Sequence, residues 1–214
     1  MSDLAEVLGS RAARLGLKIV GVVVVLGLVV TAGWLWMRAA DARGYAALAA
    51  TAEAVQDGSG PQATAAAREK AIGQLQAVLD QHGRSSAAPQ AAYELGNLQY
   101  QAGAYGAARA AYEVALAKGA QGSVRTLSAA GIGYTWEAEK NYAGALAAFE
   151  ATARALGPGQ FYFEEALLDV ARAQTLAGRP ADARATYERV LKDAPETRRA
   201  EEIRARIAAL PAAK

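Results

Sequence analysis

The 214-residue sequence contains no cysteine, which excludes disulfides, thiolate nucleophiles and cysteine-ligated metal centres. Histidine is almost as scarce. His82 is the only one, so any Ser-His-Asp arrangement would have to use it. It lies in Asp80-Gln81-His82-Gly83, where a helix end is predicted with Gly83 in the C′ position. The helix dipole favours a histidine there with no catalytic role. Charge of either sign is not in excess: 23 basic and 21 acidic residues leave a net +2. No run of Lys and Arg is interleaved with aromatics, which argues against nucleic acid as a partner. A Walker loop, a dinucleotide fingerprint, a zinc helix and a calcium loop are all missing. No cofactor, metal or small-molecule substrate is therefore expected. Glu164 and Glu165 are adjacent carboxylates, but neighbours in a helical sequence do not face each other and make a poor acid/base pair. Their expected role is favourable charge near a helix start, after Gly157-Pro158-Gly159. No catalytic residue is expected.

One stretch lacks charge altogether. Ile19 to Met37 reads IVGVVVVLGLVVTAGWLWM. As a helix rising about 1.5 Å per residue it is about 28 Å long, close to the roughly 30 Å hydrocarbon core of a bilayer. Lys18 and Arg38 bracket it, and Trp34 and Trp36 stand at one end, where amphipathic rings favour the headgroup level. A cleaved signal peptide is the alternative. Its apolar core is usually about 7–15 residues and runs into a small-residue cleavage site, whereas this run is longer and ends in Trp-Leu-Trp-Met. An uncleaved anchor through residues 19–37 is expected. Arg11, Arg14 and Lys18 precede the span and Arg38 and Arg43 follow it, a bias toward a cytoplasmic N-terminus. Gly27 and Thr31 form a small-xxx-small pair able to face another helix.

The remainder is rich in alanine with scattered aromatics (nine Tyr, three Trp, three Phe), a composition that suits close-packed helices better than sheets. It also repeats. Three segments, beginning at Ala91, Ala129 and Ala166, each carry a small residue four positions before an aromatic: Ala108 and Tyr112, Ala145 and Phe149, Ala183 and Tyr187. The alanines are 37 and 38 residues apart, and Ala71 with Leu75 marks a degenerate copy another 37 back. An all-α fold is expected, in which each helix pair buries its apolar face only by stacking on the next.

These segments resemble the tetratricopeptide repeat, a helix–turn–helix unit of about 34 residues. The resemblance is carried by Leu95-Gly96, Ile132-Gly133 and Val170-Ala171 in first helices, and by Gly103-Ala104-Tyr105, Lys140-Asn141-Tyr142 and Gly178-Arg179-Pro180 at turns. The Ala/aromatic pairs mark second helices, and Pro195 closes the last unit. The period is longer than usual, which points to lengthened turns between repeats, and the first unit lacks a clear first helix. The chain thus divides into a tail (1–18), a span (19–37), a juxtamembrane helix and linker (38–63), an α-solenoid (64–195) and a capping helix and tail (196–214).

The resemblance implies a groove lined by first helices that binds other proteins. Carried over position by position, its lining would include Tyr93, Asn97, Tyr100, Tyr134, Glu137, Leu168 and Arg172. Tyr93, Asn97 and Tyr100 are spaced to share one helix face, and aromatics supply contact area at low entropic cost. The alternative is that they are half-buried spacers between repeats. Tyr93 and Ala130 stand where one subfamily places the lysines of a carboxylate clamp, so that mode of binding is not expected. Short tail, single span and helical repeat domain together resemble the YfgM-type ancillary subunit of the bacterial Sec translocon. That resemblance implies an inner-membrane protein with its domain in the periplasm, partnering the translocon, periplasmic chaperones or exported clients. A scaffold for outer-membrane assembly or for a cell-division complex is the alternative.

Overall fold

The computed structural model describes residues 11–211, with side chains from Leu15 onward. Two compact units divide between Arg43 and Gly44. Among the described residues there are ten helices and no strand, as the composition implied.

The first unit is helical throughout its described part. Its helix, α1 (Arg11–Ala50), is long and apolar enough to cross a membrane. Every large apolar side chain from Leu15 to Met37 is exposed. Leaving so much hydrocarbon uncovered in water is costly at about 25 cal/mol per Å², and a bilayer removes that cost. The Arg38 guanidinium sits 4.2 Å from the centre of the Trp34 ring, a pairing suited to an interfacial belt.

The second unit opens with the end of α1 and continues through α2 (Ala52–Ser59), α3 (Ala65–His82), α4 (Ala88–Gln101), α5 (Tyr105–Ala117), α6 (Gly122–Ala138), α7 (Tyr142–Arg154), α8 (Phe163–Leu176), α9 (Pro180–Asp193) and α10 (Ala200–Ala209). Each helix from α2 to α10 packs on the next in sequence, and α2 with α4 and α4 with α6 also touch. First helices therefore lie beside first helices, as in a stack of helix pairs. Sequence signals set the starts. Thr64 caps α3 by accepting the Ala67 amide at 3.1 Å, and Asn141 caps α7 by accepting that of Gly144 at 2.9 Å.

The small residues of the first helices work as expected. Gly96 on α4 lies against the Tyr112 ring of α5, where a Cβ would come within 2.6 Å of ring carbons. The opposite side of the same ring meets Gly131 of α6, where a Cβ would come within 2.7 Å. One tyrosine thus plugs the gap in its own repeat and in the next. Gly133 receives the Phe149 ring of α7 in the same way, and in the third pair Ala171, Ala183 and Tyr187 are all buried.

The structure refines two expectations. Residues 38–63 hold the helical stretch expected after the span and, where a linker was expected, a further short helix. α1 continues to Ala50, and α2 packs on α3 and α4 as the first helix of the first unit. Gly58 is its small residue, with a Cβ there only 3.1 Å from the Cβ of Ala71. The helix is short because Gly60 and Pro61 stop it, and so it escapes periodicity. The lengthened period is also placed differently. Between the first two complete repeats the extra residues extend α6, which has 17 residues, and only between the next two do they form a longer connection, 155–162.

Turns within repeats are alike. Gly103, Lys140 and Gly178 all adopt positive φ (75°, 61° and 72°), and the next residue's amide bonds the carbonyl five back (Ala104 to Gln99, Asn141 to Trp136, Arg179 to Gln174), closing Schellman motifs. Gly83 follows α3 with φ −63°. It is needed for closeness, since a Cβ would collide with the Leu79 carbonyl, and not for a left-handed turn.

Two glycine substitutions separate stacking from helix propensity. Gly133→Ala forces a methyl into the Phe149 ring and should destabilise the chain by about 1–3 kcal/mol. Gly73→Ala, on an open face of α3 with nothing within 4 Å, should stabilise it by about 0.5–1 kcal/mol. Denaturant midpoints of the two variants check the pair; equal shifts would refute the close approach.

Candidate functional site

The seven residues expected to line the groove sit on three first helices. Tyr93, Asn97 and Tyr100 lie on α4, Tyr134 and Glu137 on α6, Leu168 and Arg172 on α8. They do not behave as one surface. Leu168 is buried in the C-terminal core and offers a partner little area, because α8 is enclosed by α7 and α9 for most of its length. Asn97 is engaged internally: its Oδ1 accepts the Tyr112 hydroxyl at 2.8 Å, which satisfies a phenol otherwise buried between two glycines.

Tyr134, Glu137 and Arg172 belong to a polar cluster whose centre is Asp169, a residue only 2% exposed. The Asp169 carboxylate accepts the Tyr134 hydroxyl at 2.8 and 2.9 Å, the Tyr162 hydroxyl at 2.9 Å and the Arg172 guanidinium at 2.6 Å. The two phenol oxygens are 2.8 Å apart, and Arg172 also pairs with Glu137. A carboxylate so deeply buried is tolerable only when its oxygens are occupied in this way. Burial, with the Asp169 charge, pushes both phenols well above the usual tyrosine range. Burial alone would lower the Arg172 pKa, but hydrogen bonding and attraction to Asp169 raise it. The two phenols therefore stay neutral and Arg172 stays charged across the physiological range.

The cluster fills a specific gap. α6 and α8 approach less closely than α4 and α6, because the longer connection 155–162 separates their repeats. Tyr134 reaches across from α6, and Tyr162 comes back from the end of that connection. Its left-handed backbone, φ 69°, costs a non-glycine residue roughly 1–2 kcal/mol, offset by the phenol's two hydrogen bonds. The Phe149 ring packs edge-on to Tyr134 at 5.1 Å, which ties the cluster to the stack.

Glu137 differs from its neighbours. Its Oε2 is buried with no hydrogen-bond partner, and burial raises the carboxyl pKa against the opposing pull of Arg172. On the α4 side the face is aromatic. Tyr100 stacks tilted on Tyr105 at 5.3 Å, and Tyr93 packs 6.2 Å from Tyr112. Beside them a shallow cleft of about 220 Å³ is lined by Val55, Ser59, Glu94, Asn97, Tyr100 and Tyr112. Half-buried rings next to a cleft suit the docking of a protein segment, with area supplied by Tyr93, Tyr100 and Tyr105 and orientation by Glu94 and Gln101.

Asp169, Tyr162 and Tyr105 were not anticipated. Asp169 did carry a signal, a lone charge within Leu167-Leu168-Asp169-Val170-Ala171 and three residues before Arg172. Tyr162 carried none, since nothing local shows that a loop tyrosine turns inward. Glu164 and Glu165 exceed their expected role. Glu164 accepts the Thr197 hydroxyl at 2.6 Å and Glu165 pairs with Arg199 at 2.5 Å, which fastens the segment leading into α10. His82 ends α3 as expected.

Residues 137–207 match the tetratricopeptide repeat family. The solved structure of BtubC (BKLC) from P. vanneervenii is similar in fold, with a TM-score of 0.52 at 16% identity over 69% of this chain. This chain spans 60% of the length of that one. No curated protein sequence matches it. The repeat match and the stacked helix pairs support a tetratricopeptide repeat protein.

The buried Glu137 carboxyl gives a signed expectation. Its folded-state pKa is raised, so the folded chain holds this proton more tightly than the unfolded chain does. Its contribution to stability is present at low pH and lost as pH rises through the folded pKa. Wild type should therefore gain stability relative to Glu137→Gln between pH 7 and pH 5, as read by denaturant midpoints. A relative loss would mean that pairing with Arg172 outweighs burial.

Proposed function

We propose that this tetratricopeptide repeat protein is a membrane-tethered interaction module, held by residues 19–37 and docking partner proteins along the first-helix face of Tyr93, Asn97, Tyr100, Tyr134, Glu137 and Arg172. The observation that carries the reading is the uneven use of that face. On α6 and α8 the polar side chains are consumed by one another, which makes that half rigid. On α4 the tyrosines are half-buried and flank an open cleft. Rigid aromatic area beside a recess loses little entropy on binding. The exposed apolar helix supports the tether.

The finer reading places the chain in the bacterial inner membrane, N-terminus in the cytoplasm and repeats in the periplasm, where it assists export and folding at the Sec translocon. The charge bias around the span and the YfgM-type arrangement support it. Partners would then be translocon subunits, periplasmic chaperones or emerging clients, which offer the extended segments that such a face accommodates.

A photo-crosslinking amino acid at Gln101, beside Tyr100, tests this in living cells. Translocon or chaperone components should be captured, and Tyr93→Ala with Tyr100→Ala should lower the yield at least tenfold. A reporter fused after Lys214 should be active on the periplasmic side. Capture of unrelated proteins only, or a cytoplasmic reporter, would overturn the export reading. An unchanged yield in the double variant would overturn the docking face.

A further inference from the structure

A second recess lies on the other side of α6. Ile132 and Tyr134 are two positions apart on the helix, so their side chains leave in nearly opposite directions. Over Ala129 and Ile132, between α5 and α7, runs a cleft of about 360 Å³. It exists because α7 presents Ala148 and Ala151, and the residue after it Ala155, spaced three and four apart, where larger side chains would fill the space. Leu116 and Leu156 border it. The volume is in the range of small-ligand sites.

The polar groups in the cleft are few and their states are clear. The Thr126 hydroxyl donates to the Gly122 carbonyl at 3.3 Å, and the Thr152 hydroxyl to that of Ala148 at 3.0 Å. Both donors are therefore committed within their own helices. Arg125 is the one charged residue in the lining. It is exposed, and no carboxylate pairs with it among the described residues. It stands at the first turns of α6, the helix that holds the residues by which this repeat exceeds the usual period.

These facts discriminate between occupants. A peptide entering the cleft would bring many amide groups for which the lining offers few partners beyond Arg125, and an unpaired buried amide opposes binding. A hydrocarbon chain brings no such groups, and the alanine, leucine and isoleucine walls suit it. A single unpaired guanidinium beside the lining calls for an anionic head. We propose that the α5–α6–α7 cleft binds the acyl chain of a long-chain fatty carboxylate, with the carboxylate against Arg125.

The test uses the full chain in lipid nanodiscs, with a diazirine-bearing palmitate and the matching fatty alcohol as photoactivatable probes. Mass spectrometry maps the labelled segments. Among segments of the second unit, palmitate label should concentrate on residues 126–140 and 141–156. Ala151→Trp, which fills the cleft from an exposed position, should lower that label at least tenfold. Arg125→Gln alters only an exposed, unpaired side chain, so it keeps the test valid if the tryptophan disturbs folding. It should lower palmitate labelling several-fold and leave alcohol labelling unchanged. Tyr93→Ala with Tyr100→Ala should change neither, which keeps this site separable from the docking face. The proposal is overturned by label spread evenly over the second unit, by equal labelling with acid and alcohol in wild type, by an unaltered Arg125→Gln, or by displacement with a short peptide ending in leucine.

Discussion

The repeat region depends on one contact made again and again: an aromatic ring of a second helix pressed against a first helix at a position with little or no side chain. Tyr112 lies between Gly96 and Gly131, Phe149 against Gly133, and Tyr187 packs in the core with Ala171. The contact is cheap in sequence, needing a ring and a hydrogen or methyl, and it fixes how closely two helices approach. Because Tyr112 touches two repeats at once, packing within a repeat and stacking between repeats are a single event there. A helix pair alone would leave that ring half-wet, which is the physical reason such units occur in arrays.

Where the contact is interrupted, other chemistry takes over. The longer connection before α8 moves its repeat away from α6, and the space is closed by two phenols, an arginine and a second carboxylate arranged around Asp169. Such a cluster is directional, so it holds register where smooth apolar surfaces would slide. It also ties Tyr134, Glu137 and Arg172 to one another and to Asp169, which makes that part of the face rigid. The face of α4 is aromatic and less committed, and with the edge of α2 it flanks an open cleft. The same economy operates at the C-terminus, where Glu164 and Glu165 hold the approach to α10 and its charged outer face closes the stack.

Much of this was legible in the residues. Spacings of 37 and 38 located three helix pairs, and the glycines at 96 and 133 marked their close approaches, because packing of this kind demands particular residue sizes at particular intervals. Gly58 and Gly131 were harder. The helix that carries Gly58 is too short to show a period, and Gly131 serves the ring of the preceding repeat, a relation that appears only once repeats are stacked. The Asp169 cluster was hardest, since its members come from α6, a loop and α8, and no local rule relates Tyr162 to Tyr134. Leu168 was assigned to the surface by pattern and went to the core, because α8 is covered on more sides than a single repeat would imply.

The dual contact of Tyr112 can be measured directly by a double-mutant cycle. Gly131→Ala crowds the ring, and Tyr112→Leu removes it. If the ring bridges two repeats, the cost of Gly131→Ala should largely vanish in the Tyr112→Leu background, leaving an interaction energy of about 1 kcal/mol or more in denaturant unfolding. Additive costs would show that Gly131 and Tyr112 do not meet, and the account of how the repeats are held together would fail.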